Sequence, residues 1–168
     1  MSRVRIRKAR PEEAELIREI ENDAAERYRG SQHAYVVDHD AAPAEAYAEL
    51  AAEGLVFVAE LDGIAAGFAA SEAFPDALHL HELAVRHARQ GQGLGRRLVE
   101  ATAKEARRRG LPAVTLTTFA DIDWNAPLYA HLGFRELDGA SLNEWLRQKL
   151  EDEYGRGLTE RCAMRLAL

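Results

Sequence analysis

The chain has 168 residues, with 22 Lys or Arg against 28 Asp or Glu and a formal net charge of -6. This length is enough for one domain whose core needs no disulfide or metal. The acidic balance argues against a general nucleic-acid binder, and a lone Cys162 argues against a disulfide framework or a Cys-rich zinc site. No apolar run approaches the ~20 residues that span a bilayer, and the first residues lack a secretory h-region. We therefore expect a soluble, cytoplasmic protein that binds neither membrane nor nucleic acid.

Hydrophobic periodicity predicts an alternation of strands and helices along the chain. The predicted elements, in chain order, are a strand around 4–7, a helix at 11–27, a loop at 30–42, a helix at 43–54, strands at 55–61, 64–70 and 78–85, a helix at 93–109, a strand at 113–119, a helix at 125–132, a strand at 134–137, a helix at 141–154 and a strand at 161–168. Asp62-Gly63 is a favoured pair for a tight hairpin turn, and Ser141 to Glu144 has the form of a capping box. No repeat or linker interrupts the series, so residues 1–168 are expected to form one domain.

A glycine-rich segment joins the strand at 78–85 to the helix at 93–109, and it reads Gln90-Gly91-Gln92-Gly93-Leu94-Gly95-Arg96-Arg97. Glycines let the main chain approach a ligand closely, and a helix N-terminus adds a positive dipole end, so the segment suits a pyrophosphate. A P-loop would need Gly-Lys-Ser/Thr here, and a dinucleotide fingerprint would need glycine at position 96. Both patterns are absent. The alternative interpretation is a tight strand-to-helix turn with no ligand.

Two motifs in this order resemble the GCN5-related N-acetyltransferase (GNAT) superfamily over nearly the whole chain. The pyrophosphate motif of that family, Gln/Arg-x-x-Gly-x-Gly/Ala, is matched by Gln90, Gly93 and Gly95. Its second motif, an Asn followed by Leu-Tyr-x-x-x-Gly-Phe, resembles Asn125 and the run from Leu128 to Phe134. The segment His79-Leu80-His81-Glu82-Leu83-Ala84-Val85 further resembles the arylalkylamine N-acetyltransferase branch.

The resemblance implies an α/β (α+β) fold with a central mixed, mostly antiparallel, twisted sheet of about seven strands, flanked by helices and splayed in the middle for acetyl-CoA. It implies acetyl-CoA as co-substrate and no metal. The pantetheine arm would pair with the main chain of Leu83 and Val85, and the N–H of Leu83 would polarise the thioester carbonyl. The implied cofactor-binding residues are Leu83, Ala84, Val85, Gln90, Gly91, Gln92, Gly93, Leu94, Gly95, Arg96 and Asn125. Asn125 is also a candidate helix cap.

Acetylation of an amine needs a base for the amine proton and an acid for the departing thiolate. Strand alternation puts His79 and His81 on one face, where two imidazoles could form a proton relay, and Glu82 on the other. His81 is the better candidate base, and Glu82 is the rival if a bulge swaps the faces. The second motif marks Tyr129 as the candidate acid. The alternatives are ordinary strand histidines and a core tyrosine.

We therefore expect an acetyl-CoA-dependent N-acetyltransferase that acts on a small primary amine by direct attack in a ternary complex. The alternatives are a protein N-terminal or lysine acetyltransferase and a non-catalytic acyl-CoA-binding regulatory module, and a homodimer is an alternative to a monomer. The segment from Asp138 to Glu160 is longer than the loop usual in the family and is expected to cover or reshape the acceptor pocket.

The charges are unevenly placed along the chain. From Gly30 to Val85 there are ten carboxylates and no Lys or Arg, whereas Arg86 to Arg109 has eight cations and two acids. The cationic block contains the proposed phosphate loop and has the sign expected for an anionic cofactor. The acidic block is expected to border the acceptor and attract an ammonium group.

Overall fold

The computed structural model describes residues 1–39 and 41–168. The strands are β1 (Val4–Lys8), β2 (Val56–Leu61), β3 (Ile64–Phe74), β4 (Ala77–Val85), β5 (Ala113–Phe119), β6 (Arg135–Glu136) and β7 (Arg161–Ala167). The α-helices are α1 (Ala14–Ala25), α2 (Ala44–Ala52), α3 (Leu94–Arg108), α4 (Ala126–His131) and α5 (Glu144–Gly155).

The seven strands form one mixed sheet in the order β1-β2-β3-β4-β5-β7-β6. The pairs β1–β2, β2–β3, β5–β7 and β6–β7 are antiparallel. The β2–β3 hairpin turns at Asp62 and Gly63, which both have positive φ, at 53° and 83°. That geometry is why the Asp-Gly pair favours a two-residue turn. The α/β fold predicted from the sequence is confirmed.

The chain divides into two compact units whose limits fall within β3, β4 and α3. One unit comprises Met1–Glu72 with Leu80–Glu105. Its core is formed where α1 and α2 pack on β2 and β3, with Ile17, Ile20 and Phe68 fully buried. Arg7 adds a polar brace, because its guanidinium pairs with both Glu13 and Glu60 at 2.8 and 2.6 Å.

The other unit comprises Ala73–His79 with Ala106–Leu168. Leu116, Leu146 and Met164 are buried in it. The carboxylate of Glu153 is also buried, and it accepts hydrogen bonds from Thr117 and Arg161 at 2.7 and 2.9 Å. This satisfies the buried charge, because a carboxylate out of water needs paired donors.

Most predicted elements lie within a few residues of their observed positions, with three differences. The helix predicted from Ser141 begins at Glu144, because the side chain of Asn143 accepts the N–H of Leu146 and caps it. The Ser141 N–H is donated to Asp138 instead. The loop predicted at 30–42 contains a 3-10 helix at Ala34–Asp38, and β3 runs four residues beyond its predicted end. In the described ranges, no helix has the length and apolar character needed to cross a membrane.

Candidate active site

The glycine-rich segment lies between the end of β4 and the start of α3, as predicted. Gly91 and Gly93 have φ of 77° and 80°, in the left-handed region that other residues rarely adopt. The side-chain amide of Gln90 donates to the carbonyl of Val85 at 3.0 Å and ties the segment back to β4. The first N–H groups of a helix have no partner within it. The segment therefore presents main-chain donors and the positive end of α3 together, which suits an anion.

Gly95 differs from these two glycines, because its φ lies outside the left-handed region. A Cβ at this position would meet only the Leu83 side chain, at an ordinary 3.9 Å. Neither strain nor crowding within the protein requires glycine, which costs roughly 0.5–1 kcal/mol relative to alanine inside a helix. A close approach by a ligand would account for it. Arg96 beside it is exposed and 3.5 Å from Glu100, so a protein carboxylate partly balances its charge.

Helix α1 holds the chain just before this segment. The guanidinium of Arg86 donates to the carbonyl of Ala65 at 3.0 Å and pairs with Glu19 at 3.0 Å. The N–H of His87 donates to Asp23 at 2.7 Å. Sequence reasoning missed these anchors. Their signal was the i, i+4 spacing of Glu19 and Asp23, which puts both carboxylates on one face of α1.

Strand β4 lies unusually close to β3 where the two strands pass Gly67. A Cβ on Gly67 would lie 2.8 Å from the carbonyl oxygen of Ala84 and 3.2 Å from Val85 Cγ2. Ala84 packs into the core formed with α1 and α2, whereas the Leu83 side chain lies beside Gly95 on α3. These contacts agree with regular strand alternation at this end of β4.

His81 contacts a carboxylate that the sequence did not single out. Its Nε2 lies 2.6 Å from Oε2 of Glu72 on β3, with side-chain exposures of 29% and 48%. Glu72 lies just past residue 70, the predicted end of its strand, so the predicted pairing of the strands does not include it. The pair can carry a proton and its counter-charge at the edge of solvent.

His79 has different surroundings from His81, although the sequence made the two equivalent. It is fully buried, and its Nδ1 lies 2.9 Å from the hydroxyl oxygen of Thr115 on β5. The rings of Phe74 and Trp145 stand edge-on to it, with centroids 6.2 and 5.0 Å away. These contacts are typical of a packed core histidine.

Glu82 lies toward α2, near a buried tyrosine and a second carboxylate. The hydroxyl of Tyr47 donates to Glu21 at 2.5 Å. Burial raises the pKa of Tyr47 well above its usual range, and the charges of Glu82 and Glu21 raise it further. Burial also raises the pKa of Glu21. Glu82 therefore belongs to an acidic group beside α2, on the side of β4 where Ala84 packs.

Asn125 and Tyr129 lie at α4. The side-chain oxygen of Asn125 accepts the hydroxyl of Thr118 at 2.7 Å and makes no cap bond to the helix, so the predicted capping role is wrong. Tyr129 is half-buried, with its ring edge-on to Phe134 at 5.6 Å. The N–H of Phe134 donates to the carbonyl of Tyr129 at 3.0 Å, which fixes the end of α4.

The segment from Asp138 to Glu160 is attached to the β3–β4 turn through α5. The indole of Trp145 stacks on Phe74 with ring centroids 3.9 Å apart and planes 4° from parallel. The side-chain amide of Asn143 donates to Asp76 at 3.3 Å. Two separate contacts therefore hold the start of α5 at this turn.

The model of the Acetyltransferase (GNAT) family matches residues 14–134. Among solved structures, the chain is similar to PaiA N-acetyltransferase from Thermoplasma acidophilum in complex with coenzyme A, with 15% identity, a TM-score of 0.73 and 99% of each chain covered. It is also similar to the ribosomal-protein-S18-alanine N-acetyltransferase of Escherichia coli, with 22% identity, a TM-score of 0.65, and 98% of this chain and 94% of that chain covered.

A third similar structure is N-acetylglutamate synthase from Neisseria gonorrhoeae complexed with coenzyme A and N-acetyl-glutamate. Its identity is 20% and its TM-score 0.70, over 99% of this chain and 35% of that chain. At these identities the structures establish a common fold, and the resemblance to the arylalkylamine branch stays a prediction. The family model, in contrast, covers well over half of the chain and includes both the glycine-rich segment and Tyr129. The chain therefore belongs to the GNAT acetyltransferase family.

Proposed function

We propose that the protein is an acetyl-CoA-dependent N-acetyltransferase that acetylates a small primary amine by direct attack in a ternary complex. The observation that carries this proposal is the geometry of the segment after β4. Gly91 and Gly93 are in the left-handed conformation, and α3 begins immediately after them. This arrangement suits the pyrophosphate of coenzyme A.

The cofactor would extend from this segment along β4. Main-chain N–H groups at 91–96 would bind the pyrophosphate, and Gly95 would allow it to approach α3 closely. The pantetheine arm would pair with Leu83 and Val85, and the N–H of Leu83 would stabilise negative charge on the thioester oxygen. In the family pattern Asn125 also contacts the arm, although its side-chain oxygen is bonded to Thr118.

In the proposed reaction the ammonium group first loses one proton to water, and the neutral nitrogen then attacks the thioester carbonyl carbon and gives a second proton to His81. The C–S bond breaks, the hydroxyl of Tyr129 donates a proton to the departing sulfur, and Tyr129 regains a proton from solvent. His81 is favoured over Glu82 because the contacts of Leu83 and Ala84 agree with regular alternation, which puts Glu82 on the face opposite to His81. The burial of His79 favours packing over the predicted relay.

The acceptor is proposed to be a small cationic amine. The ten carboxylates between Gly30 and Val85 give the acidic block the sign that attracts an ammonium group. The length of the segment from Asp138 to Glu160 favours a covered acceptor site over an open groove. A protein acceptor is the second candidate, because the similar Escherichia coli structure is named for a ribosomal-protein alanine.

The test is release of coenzyme A thiol from acetyl-CoA in the presence of aliphatic amines, arylalkylamines, anionic amino acids and a short peptide with a free N-terminus. We expect turnover with cationic primary amines and little with anionic amino acids. Burial raises the pKa of the Cys162 thiol to about 11, so this cysteine should not contribute to the signal. Tight acetyl-CoA binding without turnover of any amine would support the non-catalytic module. Turnover of the peptide alone would support a protein acceptor.

Tyr129→Phe tests the proposed acid separately. Loss of the hydroxyl should lower kcat by roughly 10- to 100-fold while the Kd for acetyl-CoA changes little, because the hydroxyl acts only on the departing thiolate. Tyr154→Phe is the matched control, since Tyr154 is 69% exposed on α5. An unchanged kcat would remove Tyr129 from the role.

A further inference from the structure

The contact between Glu72 and His81 is expected to contribute little to the stability of the fold as an ion pair. Both side chains are partly exposed, at 48% and 29%, and exposed pairs contribute about 0–1 kcal/mol. Yet Oε2 and Nε2 are 2.6 Å apart, within hydrogen-bond distance, and a hydrogen bond to an ionised carboxylate is stronger than one between neutral groups. This hydrogen bond between half-exposed side chains is better explained by its effect on the imidazole of His81 than by a contribution to stability.

We infer that Glu72 is a positioning residue for His81, accepting Nε2–H so that Nδ1 is the nitrogen that takes the proton from the substrate amine. This inference rests on the proposed function of His81. A neutral imidazole carries one proton, and the nitrogen that holds it is set by the hydrogen bond the ring makes. An ionised carboxylate can only accept, so it selects the tautomer with the proton on Nε2.

The same contact assists the proton transfer. When Nδ1 accepts the amine proton, the ring becomes an imidazolium with Nε2–H still donated to Glu72. The carboxylate stays ionised, and its negative charge stabilises the positive charge formed beside it. A carboxylate that orients and balances a histidine base in this way is familiar from catalytic triads. The proton leaves by return from Nδ1 to solvent, so no further group is consumed.

The inference is tested first without any substrate, by NMR of protein labelled with 15N at its six histidines. In the wild-type protein the neutral form of His81 should carry its proton on Nε2, as read from the 15N chemical shifts of its two ring nitrogens. In Glu72→Ala the share of the tautomer with the proton on Nδ1 should rise. His79 is an internal control, because its bond to Thr115 should be unaffected. A wild-type proton on Nδ1, or the same tautomer populations in Glu72→Ala as in the wild type, would overturn the inference.

The second arm is kinetic and uses the best amine of the panel. Glu72→Gln keeps the size of the side chain, loses the charge, and can donate as well as accept. It should lower kcat by about 10- to 100-fold, while KM for both substrates stays within about twofold. Glu15→Gln is the matched control, since it removes the same charge at an exposed site on α1.

Comparison with His81→Gln separates the two claims. Loss of activity in His81→Gln with full activity in Glu72→Gln overturns the positioning role alone. Full activity in His81→Gln overturns the proposed base itself. Loss of kcat in both variants, with Glu15→Gln active, supports both.

Discussion

The two histidines of β4 are two residues apart and lie in opposite surroundings. His79 is fully buried, bonded to Thr115, and bordered by aromatic rings. His81 is 29% exposed in its side chain and bonded to the carboxylate of Glu72. Burial changes abruptly along the strand, since the first four residues from Ala77 are buried and His81 is not.

The difference shows that a His-x-His pair on one strand face need not be a symmetrical pair of proton carriers. A base that exchanges protons with an amine needs access and a partner that can balance charge, and His81 has both. A ring in a closed aromatic cluster would have to be charged without water, which is costly. The part of β4 that contains His79 therefore contributes to packing, whereas the part that contains His81 has the features needed for general-base catalysis.

The largest expected effect comes from His81→Gln, which removes the proposed base and keeps a polar side chain. We expect kcat to fall by roughly 10²- to 10⁴-fold with the fold preserved, because general-base catalysis contributes about that much. Steady-state kinetics and circular dichroism measure the two quantities. His39→Gln, at an exposed histidine outside the site, should behave like the wild type. A small change in kcat would show that His81, like His79, does not act as the general base.

His79→Ala should act mainly on stability. Truncating a fully buried ring leaves a cavity and the hydroxyl of Thr115 without its partner, for a cost of about 3 kcal/mol in the free energy of unfolding. Denaturant titration gives this value, and kcat of the folded protein should change only a few-fold. Thr115→Val, which removes the hydrogen bond and keeps the volume, should cost less. A stable His79→Ala variant with a large loss of kcat would instead support the predicted proton relay through His79 and His81.

The sequence predicted the order of strands and helices well, because periodicity and turn residues act over a few neighbours. It could not separate His79 from His81. Strand alternation treats them alike, and one of the two aromatic rings that border His79 comes from Trp145, more than sixty positions along the chain. Tertiary packing against α5 and β5 distinguishes the buried histidine from the exposed one.

The partner of His81 was missed for a related reason. The predicted strand stopped at residue 70, because Ser71 and Glu72 interrupt its apolar run, yet β3 continues to Phe74. The glycine-rich segment was easier to predict, since Gly91 and Gly93 need their residue type for a local reason, their positive φ. Gly67 had no such local signal. Its role is a close approach to another strand, which no single segment can show.

Gly67→Ala would disturb the end of β4 that follows His81 without changing either histidine. The new Cβ would lie 2.8 Å from the Ala84 carbonyl, a backbone atom that cannot move without shifting the strand. We expect a loss of about 2–3 kcal/mol in the free energy of unfolding. Acetyl-CoA binding, measured by calorimetry, should weaken by about tenfold, because Val85 is proposed to pair with the cofactor. Gly139→Ala is the control, with nothing within 4 Å. Unaltered binding in a destabilised Gly67→Ala would place the cofactor elsewhere on β4.

The smallest expected effect concerns the pair of Arg7 and Glu13. Its pH dependence makes it possible to distinguish loss of activity in acid from unfolding. Arg7 donates two hydrogen bonds to the carboxylate of Glu13 and holds its pKa at about 2, below its usual 4.5. A lowered pKa stabilises the folded state fully above pH 4.5, and that stability is lost as the pH falls toward 2.

Glu13→Gln should therefore be less stable than the wild type by about 2 kcal/mol at pH 7, and the difference should vanish between pH 4.5 and 2. Denaturant titrations over this range measure it. Protonation of the proposed base His81 should stop turnover without unfolding the protein, so kcat should fall at a pH where this brace is intact. If kcat and the free energy of unfolding instead decline together below pH 4.5, the loss of activity results from unfolding. The catalytic role proposed for His81 on β4 would then lose its support.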